Sequence, residues 1–154
     1  MTDTSRMQRL APLVGEWTME TSFAPAGAIA ATTTLEWAFG GQFLLERSVI
    51  DVAEAPDALC VIAADPNTED GYTQHYFDSR GVVRLYAMTF DGRTWTLRRE
   101  QPDFSPFEFA QRYVGELSDD GATITGRWDS RALDATEWKR DFDLTFVRAP
   151  NGAS

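Results

Sequence analysis

The sequence has 154 residues but only one cysteine, Cys60, and one histidine, His75. A single cysteine excludes an intrachain disulfide and any metal site built from several cysteines. One histidine likewise excludes the zinc and iron sites that require two or three imidazole ligands. We therefore expect no bound metal ion.

Basic residues are also scarce, since 14 Lys and Arg stand against 24 Asp and Glu and the formal net charge is −10. Such an acidic surface repels phosphate groups, so nucleic-acid and anionic-membrane partners are not expected. No apolar run is long enough to span a bilayer. The start of the sequence lacks the basic and apolar regions of a secretory signal, and we expect a cytoplasmic protein.

Aromatic residues make up 12% of the sequence and alternate with polar residues at a period of two through most of its length. The clearest alternation lies in 137–147, where Trp138, Phe142 and Phe146 share a face with Arg140. Turn signals recur about every ten residues, which is typical of an all-β protein. About ten antiparallel strands joined by tight turns predict a single up-and-down β-barrel.

Helical periodicity is confined to residues 3–14, where Pro12 prevents a long helix. We expect this segment to form a short helical plug at one end of the barrel. The chain is therefore predicted to be one barrel domain, 1–148, followed by a tail, 149–154.

Two short motifs at the ends of the predicted barrel point to a family. The first predicted strand opens with Leu13-Val14-Gly15-Glu16-Trp17, and the last one ends with Phe146-Val147-Arg148. This combination resembles the calycin superfamily of lipocalins and fatty-acid-binding proteins, in which Gly-x-Trp opens the first strand and a late basic residue packs over the Trp. With the plug and the Gly40-Gly41 turn, the whole chain is similar to a bacterial lipocalin-like family of unknown function. The resemblance implies that Trp17 and Arg148 stack to close the barrel base.

The distantly similar nitrobindin-like proteins bind haem, and that resemblance raises the question of a cofactor. Their iron is ligated by a histidine near the C-terminal end of the chain, whereas the last two predicted strands here contain none. Haem or nitric oxide binding would have to use His75 from another strand. We therefore expect no cofactor and keep haem as an alternative.

A polar residue in phase with the inward, apolar face of a barrel strand is the informative exception. Gln111, Tyr113 and Arg140 have this phase on the predicted strands. Together they could hold a carboxylate or another oxyanion, similar to the clamp of fatty-acid-binding proteins. In the alternative, Arg140 lies near a barrel mouth and pairs with a neighbouring carboxylate. Arg47 and Arg99 are further candidates for inward cations.

His75 is the default general acid or base if the protein is an enzyme, because histidine ordinarily titrates near neutral pH. In the alternative, which we favour, His75 is a surface or hydrogen-bonded residue of its strand. No partner nucleophile and no Gly-x-Ser-x-Gly, phosphate-loop or dinucleotide motif accompanies it.

Aromatic bulk in the predicted interior narrows the cavity, so we expect a compact or flat ligand rather than a long acyl chain. The expected function is binding of a small hydrophobic or amphipathic molecule that could be acidic. An enzyme of the cyclase or isomerase type using the same cavity is the first alternative, and haem or nitric oxide binding is the second. The predicted ligand-binding residues are Arg140, Tyr113, Gln111, Trp37, Trp95, Phe109, Trp128 and His75.

The third predicted strand, 42–52, is apolar on both faces, so the sequence leaves its register open. Phe43 or Leu44 on this strand could form the surface of a homodimer. Phe39, Phe43 and Trp138 are nevertheless expected to be among the aromatic residues of the interior.

Overall fold

The computed structural model describes residues 4–22, 31–50 and 56–149. Ten antiparallel strands form a closed barrel in which each strand pairs with the next and the last pairs with the first, which confirms the predicted all-β fold. The strands are β1 (Gly15–Thr21), β2 (Ala31–Ala38), β3 (Phe43–Ile50), β4 (Ala58–Ala64), β5 (Tyr72–Asp78), β6 (Val83–Phe90), β7 (Thr94–Arg99), β8 (Phe109–Leu117), β9 (Thr123–Ala132) and β10 (Lys139–Arg148).

The predicted N-terminal plug is confirmed and consists of a short helix, α1 (Thr4–Gln8), followed by a 3₁₀ turn at Ala11–Leu13. Met7, Leu10 and Leu13 are fully buried and belong to the same apolar cluster as the inward residues of the strands. Because these side chains leave water together, packing rather than helix length stabilises so short a helix.

Arg148 and Trp17 form the predicted stack, with the guanidinium carbon 4.1 Å from the centroid of the indole ring. The guanidinium also donates hydrogen bonds to the carbonyl oxygens of Pro12 and Val14, both at 2.8 Å, and of Gly121 at 3.0 Å. One side chain on the last strand therefore joins the N-terminal segment to the turn between β8 and β9.

Gly15 lies against this guanidinium in a backbone conformation that other residues rarely adopt. Its φ is +135°, and a Cβ atom added there would lie 2.6 Å from Nη1 of Arg148. Gly15→Ala should therefore lower the free energy of unfolding by about 2 kcal/mol, as measured by urea denaturation. Gly81→Ala is the control, because Gly81 has a φ of +85° but open space around it. Equal losses in the two variants would contradict a role for the contact with Arg148.

The turn between β2 and β3 occurs where the Gly-Gly pair predicts it, but it is longer. Ala38 pairs with Phe43, and the intervening residues include a 3₁₀ turn at Phe39–Gly41. Phe39 is 80% exposed and stacks edge-to-face on Phe43, which is 36% exposed. The prediction that these two rings lie inside is wrong, because Phe39 lies in the exposed turn and the register of β3 places Leu44 inside and Phe43 outside.

The same register turns Arg47 outward. Its side chain is 57% exposed, and its Nε lies 3.8 Å from a carboxylate oxygen of Glu36 on β2. The prediction of an inward cation at this position is therefore wrong.

Strand β10 contains a β-bulge near its start. Arg140 pairs with Asp129 and Phe142 pairs with Trp128, so Asp141 is an extra residue without a partner on β9. An extra residue shifts the alternation of side chains by one position. The residues before the bulge therefore have the opposite phase from the one that the sequence pattern predicts.

The bulge places Arg140 and Trp138 on the outer face of the barrel. Arg140 is 60% exposed and forms an ion pair with Asp143. The ring of Trp138 lies under Arg112 and Arg131, whose guanidinium carbons are 4.3 Å and 5.2 Å from its centroid. The prediction that Arg140 and Trp138 face the interior is wrong, and the alternative of a cation paired with a neighbouring carboxylate is confirmed.

The wall between β6 and β7 is completed by a loop. Only Ala87–Phe90 of β6 pair with β7, so the first half of β6 lacks a partner strand on that side. Asp103 accepts a hydrogen bond from the backbone N–H of Leu85 at 2.9 Å, and Ser105 Oγ bonds both the N–H and the carbonyl of Val83. Side chains of the loop between β7 and β8 thus replace a strand ladder.

Arg99 holds this loop from the inside of the barrel. Its Nε and Nη2 each lie 2.7 Å from one oxygen of Asp103, and the two side chains are only 1% and 3% exposed. The guanidinium also lies 5.3 Å from the ring of Phe107. The hydrogen bonds from Arg99 hold the pKa of Asp103 far below its ordinary value. Arg99 is therefore inward, as predicted, but it is fully engaged by the loop.

Among the described residues, no helix combines the length and apolar character needed to cross a membrane. At the C-terminal end, the backbone N–H of Ala149 donates to the carbonyl of Glu16 at 2.8 Å. The rest of the predicted tail, 150–154, lies outside the described residues, as does the end of the third predicted strand, 51–52.

Candidate functional site

The barrel contains a partly open cavity of about 390 Å³ in the half away from α1. Strands β3 to β6, with Gln111 of β8, supply most of its polar side chains, whereas the lining residues from β7, β9 and β10 are all aromatic or aliphatic. The lining residues used below are Glu46, Cys60, Gln74, Tyr76, Arg84, Tyr86, Trp95, Gln111, Tyr113, Trp128, Leu144 and Phe146.

One row of polar side chains crosses four strands. Glu46 of β3 is paired with Cys60 of β4, Cys60 with Tyr76 of β5, and Tyr76 with Arg84 of β6. Directly paired residues of an antiparallel ladder project to the same face. The register therefore places all four side chains on the cavity side of the barrel.

Glu46 is the buried carboxyl group of this row and is only 7% exposed. Its Oε1 makes no hydrogen bond to any described residue, and no cation within the described part of the chain forms an ion pair with it. Burial raises the pKa of Glu46 to about 7, although a hydrogen bond with Cys60 partly opposes that rise. Glu46 therefore changes charge near neutral pH inside the cavity.

Cys60 and Gln74 complete the surroundings of this carboxyl group. Gln74 Nε2 lies 3.4 Å from Cys60 Sγ, while Gln74 Oε1 is buried without a hydrogen-bond partner. Burial, reinforced by the nearby Glu46, raises the pKa of the Cys60 thiol well above its usual value. The thiol is therefore a hydrogen-bonding group and not an activated nucleophile.

Arg84 is the cation that the cavity contains. Its Nη1 donates to Gln111 Oε1 at 3.3 Å, and the hydroxyl of Tyr86 donates to the same oxygen at 3.2 Å. The Nε of Arg84 is buried without a partner. Arg84 therefore lies beside Gln111, where the sequence pattern predicts Arg140.

Tyr113 forms the aromatic floor of the cavity. Its ring fits against Gly115 and Gly126, a directly paired glycine pair in which an added Cβ on either residue would collide with the phenol. Its hydroxyl donates to the carbonyl of Leu144 at 3.2 Å. The rings of Trp95 and Trp128 continue this surface, with centroids 5.8 Å and 5.3 Å from that of Tyr113.

The structure brings some of the predicted site residues together and separates others. Gln111, Tyr113, Trp95 and Trp128 line the cavity; their contact with a ligand stays a prediction. Trp37 packs against the core outside the cavity lining, and Phe109 is half-buried at the start of β8. Arg140 lies on the outer face, as described above.

His75 also lies on the outer face, paired between Val61 of β4 and Leu85 of β6. Its neighbours Gln74 and Tyr76 are the residues of β5 that line the cavity, and His75 does not. The prediction that His75 could serve as an acid or base in the cavity is therefore wrong.

The position of His75 also determines whether a histidine could ligate the iron of a haem in the cavity. The sequence has no other histidine, and this one cannot reach an iron atom held inside the barrel. The residues present therefore do not fit a haem with a proximal histidine in the cavity.

Sequence reasoning missed the polar row of Glu46, Cys60, Tyr76 and Arg84. The available signal was the phase of Leu44, Glu46 and Ser48, but the other face of the same strand is equally apolar. The pairing with β2 fixes the register, and Thr33 Oγ1 and Ser48 Oγ form an inward hydrogen bond at 2.8 Å.

The closed ten-stranded antiparallel barrel fits a calycin-like fold. No protein-family model matches the chain, and no match is found among curated proteins.

Proposed function

We propose that the protein binds a compact amphipathic molecule inside the barrel. The observation that carries this proposal is a set of buried polar atoms around one cavity that lack hydrogen-bond partners among the described residues. These atoms are Glu46 Oε1, Gln74 Oε1, Arg84 Nε and Trp95 Nε1. Buried polar atoms in native proteins are nearly always hydrogen-bonded, so a bound molecule with matching groups would complete them.

The walls favour a small and flat ligand. Tyr113, Trp95, Trp128 and Phe146 form a continuous aromatic surface, and Tyr86 extends it toward β6. Aromatic surfaces gain most from stacking on another flat ring. A cavity of about 390 Å³ is at the small end of ligand pockets, which disfavours a long acyl chain.

A second candidate function is catalysis of the cyclase or isomerase type, with Glu46 rather than His75 as the acid or base. A carboxyl group with a pKa of about 7 can accept and donate a proton at neutral pH. The walls of the cavity would hold a substrate in one conformation. Recovery of the bound molecule separates the two functions, because a binding protein returns it unchanged.

Membership of the calycin superfamily, a bacterial origin, a cytoplasmic location and the absence of a cofactor all remain predictions. The same holds for a homodimer. Of the two residues expected at its surface, Leu44 is fully buried and Phe43 is exposed beside Phe39.

Tryptophan fluorescence tests the proposed cavity directly, because Trp95 and Trp128 line it and Trp138 lies outside. Titration with nitrobenzyl alcohol, a flat aromatic molecule that quenches indole emission and does not itself fluoresce, should change the emission of the wild type and of Trp138→Phe by similar amounts. Trp95→Phe combined with Trp128→Phe should lose most of that change. A change that survives in the double variant and disappears in Trp138→Phe would place binding outside the barrel.

A further inference from the structure

We propose that the ligand carries a protonated nitrogen, an ammonium or amidinium group, which pairs with Glu46 and donates to Gln74 while its aromatic body lies against Trp95 and Trp128. This inference rests on the proposed binding function and names the chemical class of the ligand.

The first support is the isolation of the Glu46 carboxyl group. It is nine-tenths buried, and its Oε1 has no partner among the described residues. A buried ionised carboxylate without a partner is strongly disfavoured, and a cationic group beside it removes most of that cost. A ligand ammonium group would therefore gain both an ion pair and a hydrogen bond in this position.

The second support is the arrangement of the free oxygens around Cys60. The thiol interacts with the Glu46 carboxyl group on one side and with the Gln74 amide nitrogen on the other. Glu46 Oε1 and Gln74 Oε1 are left free, and both accept hydrogen bonds when Glu46 is ionised. A group with several N–H donors satisfies two such acceptors, whereas a ligand carboxylate would be repelled by them.

The third support is the aromatic surface on the opposite side of the cavity. Trp95 and Trp128 flank Tyr113, and the rings of all three residues line the cavity. Ring faces attract cations, and tryptophan does so most strongly. An unpartnered carboxyl group within an aromatic enclosure is the arrangement that recognises an organic cation.

Arg84, the cation of the same cavity, is compatible with this ligand. Its Nη1 is occupied by Gln111 Oε1, and its free Nε is a donor, as is the free Nε1 of Trp95. These donors suit a hydroxyl or carbonyl oxygen elsewhere on the ligand. The cavity therefore offers acceptors around Glu46 and donors at Arg84 and Trp95.

Glu46 is the group that should control the pH dependence of binding. It is faced by Cys60 on β4, by Tyr113 on β8 and, along its row, by Tyr76 and Arg84. Burial raises the pKa values of the thiol and of both phenols, so these groups stay neutral near pH 7. Arginine stays charged throughout this range. The ionisation of the Glu46 carboxyl group is therefore the change that should control the affinity for an amine near pH 7.

Calorimetric titration with three probes that share a naphthalene body tests the proposal. The probes are 2-(2-naphthyl)ethylamine, 2-(2-naphthyl)ethanol and the carboxylate of 2-naphthylacetic acid, called the acetate below. At pH 8 the amine should bind about tenfold or more tightly than the alcohol, and the acetate should bind most weakly. The affinity of the amine should rise about tenfold between pH 6 and pH 8, as Glu46 ionises with a pKa of about 7.

Glu46→Gln should abolish both the preference for the amine and its pH dependence, while the affinity for the alcohol should change much less than the affinity for the amine. Glu36→Gln is the matched control, because it removes the same charge from the outer face of the adjacent strand β2. Thermal melting checks that both variants fold, and Glu46→Asp, which keeps the charge, should retain part of the preference.

The outcomes distinguish this inference from the proposed function. If the alcohol or the acetate binds as tightly as the amine, or if Glu46→Gln keeps the preference, the ligand class is wrong and the binding function stands. If none of the three probes binds to the wild type, both proposals are overturned.

Discussion

Glu46→Gln is expected to raise the free energy of unfolding by about 3 kcal/mol at pH 8 and to change it little at pH 4. Burial raises the pKa of this carboxyl group from 4.5 to about 7 in the folded protein. Each unit of that difference corresponds to about 1.4 kcal/mol between the two protonation states. An isosteric amide cannot ionise, so the variant avoids the cost of a buried charge.

The pH range of this effect follows from the two pKa values. Below about pH 4.5 the carboxyl group is protonated in both the folded and the unfolded chain, and the variant gains nothing. Between pH 4.5 and 7 the unfolded chain releases the proton while the folded protein keeps it, so the stability of the wild type falls as the pH rises. Above pH 7 the full difference is present.

Urea denaturation of the wild type and Glu46→Gln at several pH values between 4 and 8 measures this difference. Glu36→Gln serves again as the control, because Glu36 is 56% exposed. A stability difference that stays constant with pH would mean that Glu46 ionises in the folded protein as it does in the unfolded chain.

Asp103→Asn is expected to lower the free energy of unfolding by about 3 to 5 kcal/mol at neutral pH, because it leaves the buried Arg99 without its counter-charge. The carboxylate also accepts the backbone N–H groups of Leu85 and Ser105. Its loss should therefore weaken the closure between the β7–β8 loop and β6. Asp119→Asn is the control, since Asp119 forms an equally short but exposed ion pair with Arg93 and should have a much smaller effect.

The effect of Asp103→Asn should decrease in acid. Hydrogen bonds from Arg99 lower the pKa of Asp103, so its contribution is fully present above the ordinary pKa of a carboxyl group. The contribution is lost as the pH falls below that value toward the folded pKa. Urea denaturation at neutral pH and at about pH 3, below the ordinary pKa of an aspartate carboxyl group, measures this trend. An equally large loss at both values would show that the ion pair is not what holds the loop.

The strand order and the plug could be predicted from the sequence because local signals determine them, whereas the stack of Trp17 on Arg148 was implied by the resemblance to the calycin superfamily. Alternation defines each strand, and turn residues separate one strand from the next. Side-chain phase was predictable wherever one face is polar, as on β8, where Gln111 and Tyr113 face inward. Which side chains of a strand face inward depends on the register of that strand, and a shift of one residue exchanges its inner and outer faces.

The candidate site was predictable only in part, because its remaining residues depend on register that the sequence does not specify. On β3 both faces are apolar, so Glu46 could not be assigned to the interior. On β10 the bulge at Asp141 reverses the phase of Arg140, and nothing in the alternating pattern marks it. On β5 the residues around His75 and Gln74 are similar in polarity. The alternating pattern therefore placed His75 in the cavity, whereas Gln74 lines it.

The ladder between β1 and β10 has a consequence for the order of folding. The other ladders join strands that are neighbours in the chain and can form by closing short loops. Closure of the barrel brings Arg148 to Val14, 134 positions away, and therefore carries the largest loss of chain entropy. An open sheet of paired strands can precede this step. The stack of Arg148 on Trp17 thus stabilises the pairing of β1 with β10, the one ladder whose strands are not neighbours in the chain.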